Sequence, residues 1–274
     1  LVVCSLFPQY DFARQIAGDR ATVFMLLPPG MESHTLDPRP ADMAILNKAD
    51  LFVFTGAYME PWAKRIVESL DNKKLIVVDA SAGIDLLGEH DGVQHGHDGE
   101  YDPHIWLDFT LAAKMADAVT DGLCRADSEN AFFYKKNAYD YKAKLAQLDR
   151  DFFEVVRNGK RDTLVFGGRF AYRYFLARYR LKYVTAYETC STEGEPSVRQ
   201  MADVIRYIKD NGVRVLFHEE FVDPKVARSI AEQAEAESLL FSTGHTVTKD
   251  EFQSGITFID IMRANMKNVE KGLR

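Results

Sequence analysis

The sequence predicts an α/β protein built as two lobes with parallel sheets, joined by one long helix. Three observations predict it. Short apolar runs alternate with amphipathic segments near the start of the chain, and the same alternation returns in its second half. Between them, from Ser128 to about Val156, SENAFFYKKNAYDYKAKLAQLDRDFFEVV keeps a helical period with no Pro or Gly. Finally, 274 residues with 46% apolar side chains suffice for two cores of about 100–150 residues each.

The elements follow in order. LVVCSLFP opens as a strand, and YDFARQIAG reads as a helix stopped at Gly18. ATVFMLLPPG is a second strand closed by Pro-Pro-Gly. RPADMAILNK is a helix with Pro40 near its start. ADLFVFTG, EPWAKRIVESL and KKLIVVDAS then read as strand, helix and strand. LDFTLAAKMADAVTDGLCRAD is helical, with apolar residues at 111, 115, 118, 119 and 123. The helix from Ser128, about 40 Å at 1.5 Å per residue, is longer than one lobe and bridges two. TLVFGG, AYRYFLARYR, KYVTAY, a helix from Ser197 to Asn211, VRVLFHEE, DPKVARSIAEQAEA, LLFS and a final helix repeat the alternation. The expected division is residues 1–127 for the N-terminal lobe, 128–157 for the bridge and 158–274 for the C-terminal lobe.

Charge narrows the function. Lys and Arg number 34 against 41 Asp and Glu, a net charge of −7. With no basic run, nucleic acid is excluded as a partner. No apolar run approaches the roughly 20 residues that span a bilayer. The chain opens directly on a strand, as a mature or trimmed exported protein would. Cys4, Cys124 and Cys190 are too few and too scattered for a disulfide framework. The GxxxxGK[ST], GxSxG, HExxH and CxxC patterns are absent.

What stands out is HDGVQHGHDGEYDPHIWLD, residues 90–108, which holds His90, His95, His97 and His104, four of the seven histidines. His34 and His245 each follow the end of a predicted strand, and His104 lies between the polar loop and a helix. Ligands of α/β sheets bind beyond the carboxyl ends of strands, so three imidazoles from distant segments can converge there. Taken singly, each is more often a solvated loop histidine. His218, inside VLFHEE, reads as a packed strand-end residue; Glu219 and Glu220 after it could face the cleft, but read more simply as a solvated strand terminus.

Three segments carry a resemblance: GMESHTLDPRPADM (30–43), DPHIWLDF (102–109) and GITFIDIMRANMKNVEKGL (255–273). Together they resemble the solute-binding proteins of zinc and manganese ABC importers. The resemblance implies two Rossmann-like lobes on one rigid helix and a single divalent ion in the interlobe cleft, held by four side chains, two per lobe. By motif the first ligand falls on His34, the second on His104, and the fourth, often acidic in the family, on His245. The third falls on Arg169 in GGRFAYRYFLARYRL, where the family has His or Glu. Guanidinium offers no free lone pair and cannot ligate a cation. Either the fourth position is open or water-filled, or Cys190, Glu193 or Glu195 of YETCSTEGEPS fills it while Arg169 pairs with a carboxylate of that loop. The glutamates also read simply as a helix boundary, and Cys190 as a buried thiol.

Three imidazoles favour Zn²⁺ over Mn²⁺, which prefers oxygen-rich sites. His90, His95 and His97 form a Gly/Asp-rich insertion that either collects zinc weakly or is only a solvated loop. The resemblance implies an extracytoplasmic, non-enzymatic protein in the periplasm or on the cell surface. It would be monomeric, with a lipid anchor at a removed N-terminus, and would deliver its ion to an importer permease. Two other readings stand beside it: a zinc hydrolase using a three-His site with an open position, and a metal-binding surface adhesin.

Overall fold

The structure is a computed structural model describing residues 1–33, 36–88, 101–187, 196–220 and 224–274. The chain forms two compact units, Leu1–Gln147 with Gly244–Phe258, and Leu148–Thr243 with Ile259–Arg274.

The first unit is built on four parallel strands: β1 (Val2–Cys4), β2 (Val23–Met25), β3 (Leu51–Phe54) and β4 (Ile76–Asp79), in the order β2-β1-β3-β4. The central strands are apolar throughout, as a parallel sheet covered on both faces requires. One face buries Val3, Phe52 and Phe54 against Leu46, Trp62, Ala63 and Leu70, from α2 (Pro40–Leu46), α3 (Ala63–Ser69) and their flanks. Two further helices, α1 (Phe7–Ala17) and α4 (Phe109–Ala126), pack on the sheet and on each other. The buried face of α4 is Ala112, Met115, Ala116, Val119, Gly122 and Leu123. It keeps Met115, Val119 and Leu123 of the expected stripe and leaves Leu111 and Ala118 half-buried. A Cβ on Gly122 would lie 2.8 Å from Val78 and 2.9 Å from Leu51. The mid-helix glycine, which costs about 1 kcal/mol in helix propensity, thus lets α4 sit directly on the sheet.

The second unit repeats the plan with β5 (Thr163–Phe166), β6 (Lys182–Thr185), β7 (Val215–His218) and β8 (Glu237–Leu240), parallel in the order β6-β5-β7-β8. One face is aliphatic: Val165 and Leu216 pack on Val204, Ile208, Ala227 and Ile230 of α7 (Val198–Asn211) and α8 (Lys225–Ala234). The other is aromatic, with Phe166, Phe217 and Phe241 against Tyr172 and Phe175, the latter in α6 (Arg173–Tyr179). In both sheets the first strand lies between the second and third, so the strand order reverses beside it. Such switch points are where α/β sheets bind ligands.

The expected long helix is α5 (Ala131–Arg157), preceded by a 3₁₀ turn over Ser128–Asn130. The division into units is not linear, however. Residues 244–258, expected in the C-terminal lobe, pack with the first unit. The cause is specific. Buried Asp11 of α1 accepts from the Phe258 backbone N–H (2.9 Å), and Arg14 donates to the Ile256 carbonyl (2.8 Å). The Phe258 ring packs edge-on against Phe12 (5.4 Å) and Phe109 (6.3 Å). Among the described residues no helix is long and apolar enough to cross a membrane.

Candidate metal centre

Above the carboxyl ends of the first sheet, the chain assembles a buried polar layer. Ser5 follows β1 and Thr55 follows β3. The Glu60 carboxylate accepts from the Ser5 hydroxyl, from the Thr55 hydroxyl and N–H, and from the Gly56 N–H. Gln9 donates to the Thr55 hydroxyl. Burial pushes the Glu60 carboxyl from 4.5 up to about 7, against the pull of these donors. An acid whose folded pKa is raised makes stability fall as pH rises from about 4.5 to about 7, because the unfolded chain releases its proton first. We expect the unfolding free energy to decline over that window, with a shallower slope for Glu60→Gln. Denaturant melts at pH 4.5, 6 and 7.5 measure it, and identical slopes for the two proteins would contradict the assignment.

The same unit holds His104 and His245. His104, 2% exposed, stands before the 3₁₀ turn Ile105–Leu107. The buried Asp102 carboxylate receives both its backbone N–H (2.9 Å) and its ring Nδ1 (2.7 Å). Donation to a carboxylate puts the ring proton on Nδ1 and the lone pair on Nε2. This carboxylate–imidazole arrangement is the one that orients metal-binding histidines. The His245 ring lies 6.0 Å from that of His104, at 73°. Trp106, fully buried, packs 5.3 Å from His104 and 6.5 Å from His245.

The backbone around His245 is equally fixed. Its carbonyl accepts from the Phe7 N–H (3.3 Å), one of the donors left over at the start of α1, whose N-cap Leu6 offers no side chain. Gly30 donates to the Val247 carbonyl (2.7 Å), so the chain four residues before His34 is tied to the chain two residues after His245. Thr248 and Glu251 form a capping box on α9 (Lys249–Ser254).

His34 itself lies outside the described residues, and so do His90, His95, His97, Cys190, Glu193 and Glu195. Accordingly no three His, Cys, Asp or Glu side chains gather into one cluster among the described residues. The feet of the 89–100 insertion are described: Gly88 and Tyr101 pair as an antiparallel bridge, and the Asp102 N–H donates to the Leu87 carbonyl (2.9 Å). The insertion therefore returns directly onto the carboxylate that orients His104.

In the second unit, Arg169 follows Gly167-Gly168 at the end of β5. His218 is half-buried and pairs through Nδ1 with the Ser238 hydroxyl (2.9 Å). Glu219 and Glu220 are not a solvated terminus. Glu220 accepts from the Thr243 N–H (2.7 Å) and hydroxyl (2.6 Å), while Glu219 is buried. Sequence reasoning missed Asp102, whose signal was its position two residues before a histidine. It also missed Glu60 and Asp11, which no local pattern marks as buried.

Two parallel α/β units, one carrying a carboxylate-oriented imidazole beside a second imidazole, place the chain in the class of two-unit α/β proteins with strand-end ligand-binding positions. The comparisons agree and narrow it. The chain belongs to the ZnuA family, described as zinc-uptake complex component A, periplasmic, whose model matches residues 2–272. It is 33% identical to the high-affinity zinc uptake system protein ZnuA of Bacillus subtilis, over 99% of this chain and 87% of that one. It is 29% identical to the zinc-binding lipoprotein AdcA of Streptococcus pneumoniae, over 98% of this chain and 55% of that one. It thus spans about half the length of AdcA. The Zn(II)-bound ZnuA-like domain of AdcA superposes with a TM-score of 0.83 at 28% identity, covering 99% of this chain and 98% of that one. The family consists of extracytoplasmic transport components, and the expected non-enzymatic role follows from membership.

Proposed function

We propose that this protein captures Zn²⁺ outside the cytoplasmic membrane through His34, His104 and His245 and delivers it to an ABC importer permease. The observation that carries the reading is the Asp102–His104 pair beside His245, in a chain that matches a zinc-uptake family along almost its whole length. Asp102 holds the His104 tautomer that leaves Nε2 for the ion, and Trp106 sets the tilt of both rings. The Gly30–Val247 bond supports His34 as the third imidazole, since it brings that segment to the one bearing His245. Three neutral imidazoles favour zinc over manganese. Arg169 takes no part as a ligand, because a guanidinium cannot coordinate. It acts on neighbouring carboxylates instead. The protein works as a monomer, and a lipid tether is supported by the lipoprotein relative. Equilibrium dialysis against zinc and manganese tests the reading. We expect one tightly held Zn²⁺ per chain that excess Mn²⁺ does not displace; preferential manganese uptake would overturn it.

The insertion holding His90, His95 and His97 supplies weak, fast-exchanging zinc sites whose C-terminal foot leads into Asp102 and His104. Deleting residues 90–99 is expected to remove the weak zinc while keeping the tight ion, and to slow loading from dilute zinc. Unchanged stoichiometry and loading rate would contradict this role.

A further inference from the structure

The segment that carries Asp102 and His104 meets a second loop of the same unit, residues 55–62 between β3 and α3. That loop is held firmly. The buried Glu60 carboxylate turns back to Ser5, Thr55 and Gly56. At Gly56 (φ +156°) an added Cβ would stand 2.3 Å from the Ser81 hydroxyl oxygen, so the loop lies directly against the turn after β4. Ser81 is fixed in turn by Asp79, whose carboxylate accepts from its N–H (2.8 Å) and its hydroxyl (2.7 Å).

From this loop Tyr58 reaches the foot of the 89–100 insertion. Its ring meets that of Tyr101 edge-on, at 5.0 Å and 61°. Tyr58, Met59, Leu86 and Pro103 line a gap of only about 10 Å³, barely the room of one water molecule. Tyr58 and Tyr101 are 50% and 40% exposed, so they add little to the core. What the pair fixes is position. The Gly88–Tyr101 bridge and the Asp102–Leu87 hydrogen bond tie one foot of the insertion to the other. The Tyr58–Tyr101 contact ties both feet to a loop anchored on β3.

We propose that Tyr58 is a positioning residue for zinc capture, acting through Tyr101 to hold Asp102 where it orients His104. This rests on zinc capture as proposed above. The Asp102 carboxylate lies 2.7 Å from His104 Nδ1, and its place follows the backbone that Tyr101 begins. Groups at a metal site have to be held within about 0.5 Å of their productive geometry. An aromatic pair of this kind favours one arrangement by about 2–10-fold.

The test compares Tyr58→Ala, Tyr58→Phe, Asp102→Asn, His104→Ala and the Tyr58→Ala/Asp102→Asn double variant with the parent. Zinc alone is titrated against a competing chromophoric chelator, and the zinc-free proteins are melted. Tyr58→Ala should lower zinc affinity about 2–10-fold while melting close to the parent. Tyr58→Phe should restore the affinity, because the ring and not the hydroxyl makes the contact. In the Asp102→Asn background Tyr58→Ala should cost nothing further, since groups that act through one another are not additive. Parent-like affinity in Tyr58→Ala, with affinity lost in His104→Ala, would overturn this inference and leave zinc capture standing. Affinity unchanged in both would overturn both. Equal losses with and without Asp102, no rescue by phenylalanine, or a zinc-free Tyr58→Ala protein melting well below the parent would each make the pair an ordinary packing contact and sink the inference.

Discussion

Replacing His104 by alanine lowers zinc affinity of the purified protein by at least ~100-fold, and Asp102→Asn lowers it by about 10–100-fold, the range typical of groups behind a metal-bound imidazole. The two effects have different origins. His104→Ala removes the donor atom. Asp102→Asn keeps an oxygen near the His104 backbone N–H and Nδ1 but removes the negative charge that orients the ring. Isothermal titration reads both, and thermal melts give an independent check. Under zinc at 100 times the parent Kd, binding stabilises the fold by about 2.7 kcal/mol. His104→Ala should lose almost all of that increment, and Asp102→Asn a graded part. Equal effects from the two variants would mean that Asp102 holds the local fold rather than tuning the imidazole.

The second large effect lies away from the metal. Phe258 is fully buried against Phe12 and Phe109, and its backbone N–H is held by Asp11. Phe258→Ala removes a core aromatic and leaves a cavity, a change that costs about 3–5 kcal/mol. Because Phe258 ends the 244–258 segment that packs with the first unit, the loss should also reach His245. We expect the urea midpoint to fall sharply and zinc affinity to weaken at temperatures where the variant is still folded. An equally buried aromatic of the second unit, Phe217, serves as the control: Phe217→Ala should destabilise to a similar degree and leave zinc affinity near that of the parent. If Phe258→Ala cost under about 1 kcal/mol, the anchoring role assigned to this segment would be wrong.

Much of this was legible in the sequence, and the failures are informative. Strand–helix alternation predicts two parallel sheets because a strand covered on both faces must be apolar, and LVVC, LFVF and the LVF of TLVF are. The long helix is visible because nothing between Ser128 and Arg157 interrupts its period. The face of α4 was read in part: Met115, Val119 and Leu123 are buried as expected, while Ala112, Ala116 and Gly122, which pack by being small, were not picked out. The placement of 244–258 with the first unit was not legible at all: it depends on a buried Asp11 meeting a backbone N–H some 247 residues away. Glu219 and Glu220 look alike in sequence, yet one is buried beside a glycine and the other caps Thr243. Which way each points is settled by the end of β7 and not by its composition. The histidines show the converse. Their positions after strands marked them, but the carboxylate that gives His104 its chemistry was hidden in an ordinary Asp-Pro-His.

The most direct test is anomalous diffraction at the zinc edge from a zinc-loaded crystal. The account predicts one strong peak within about 2.0–2.1 Å of Nε2 of His104, with His34 and His245 also coordinating and Asp102 still on Nδ1. A peak that leaves His104 uncoordinated, or a zinc ion bound only by the 90–99 insertion, would contradict it.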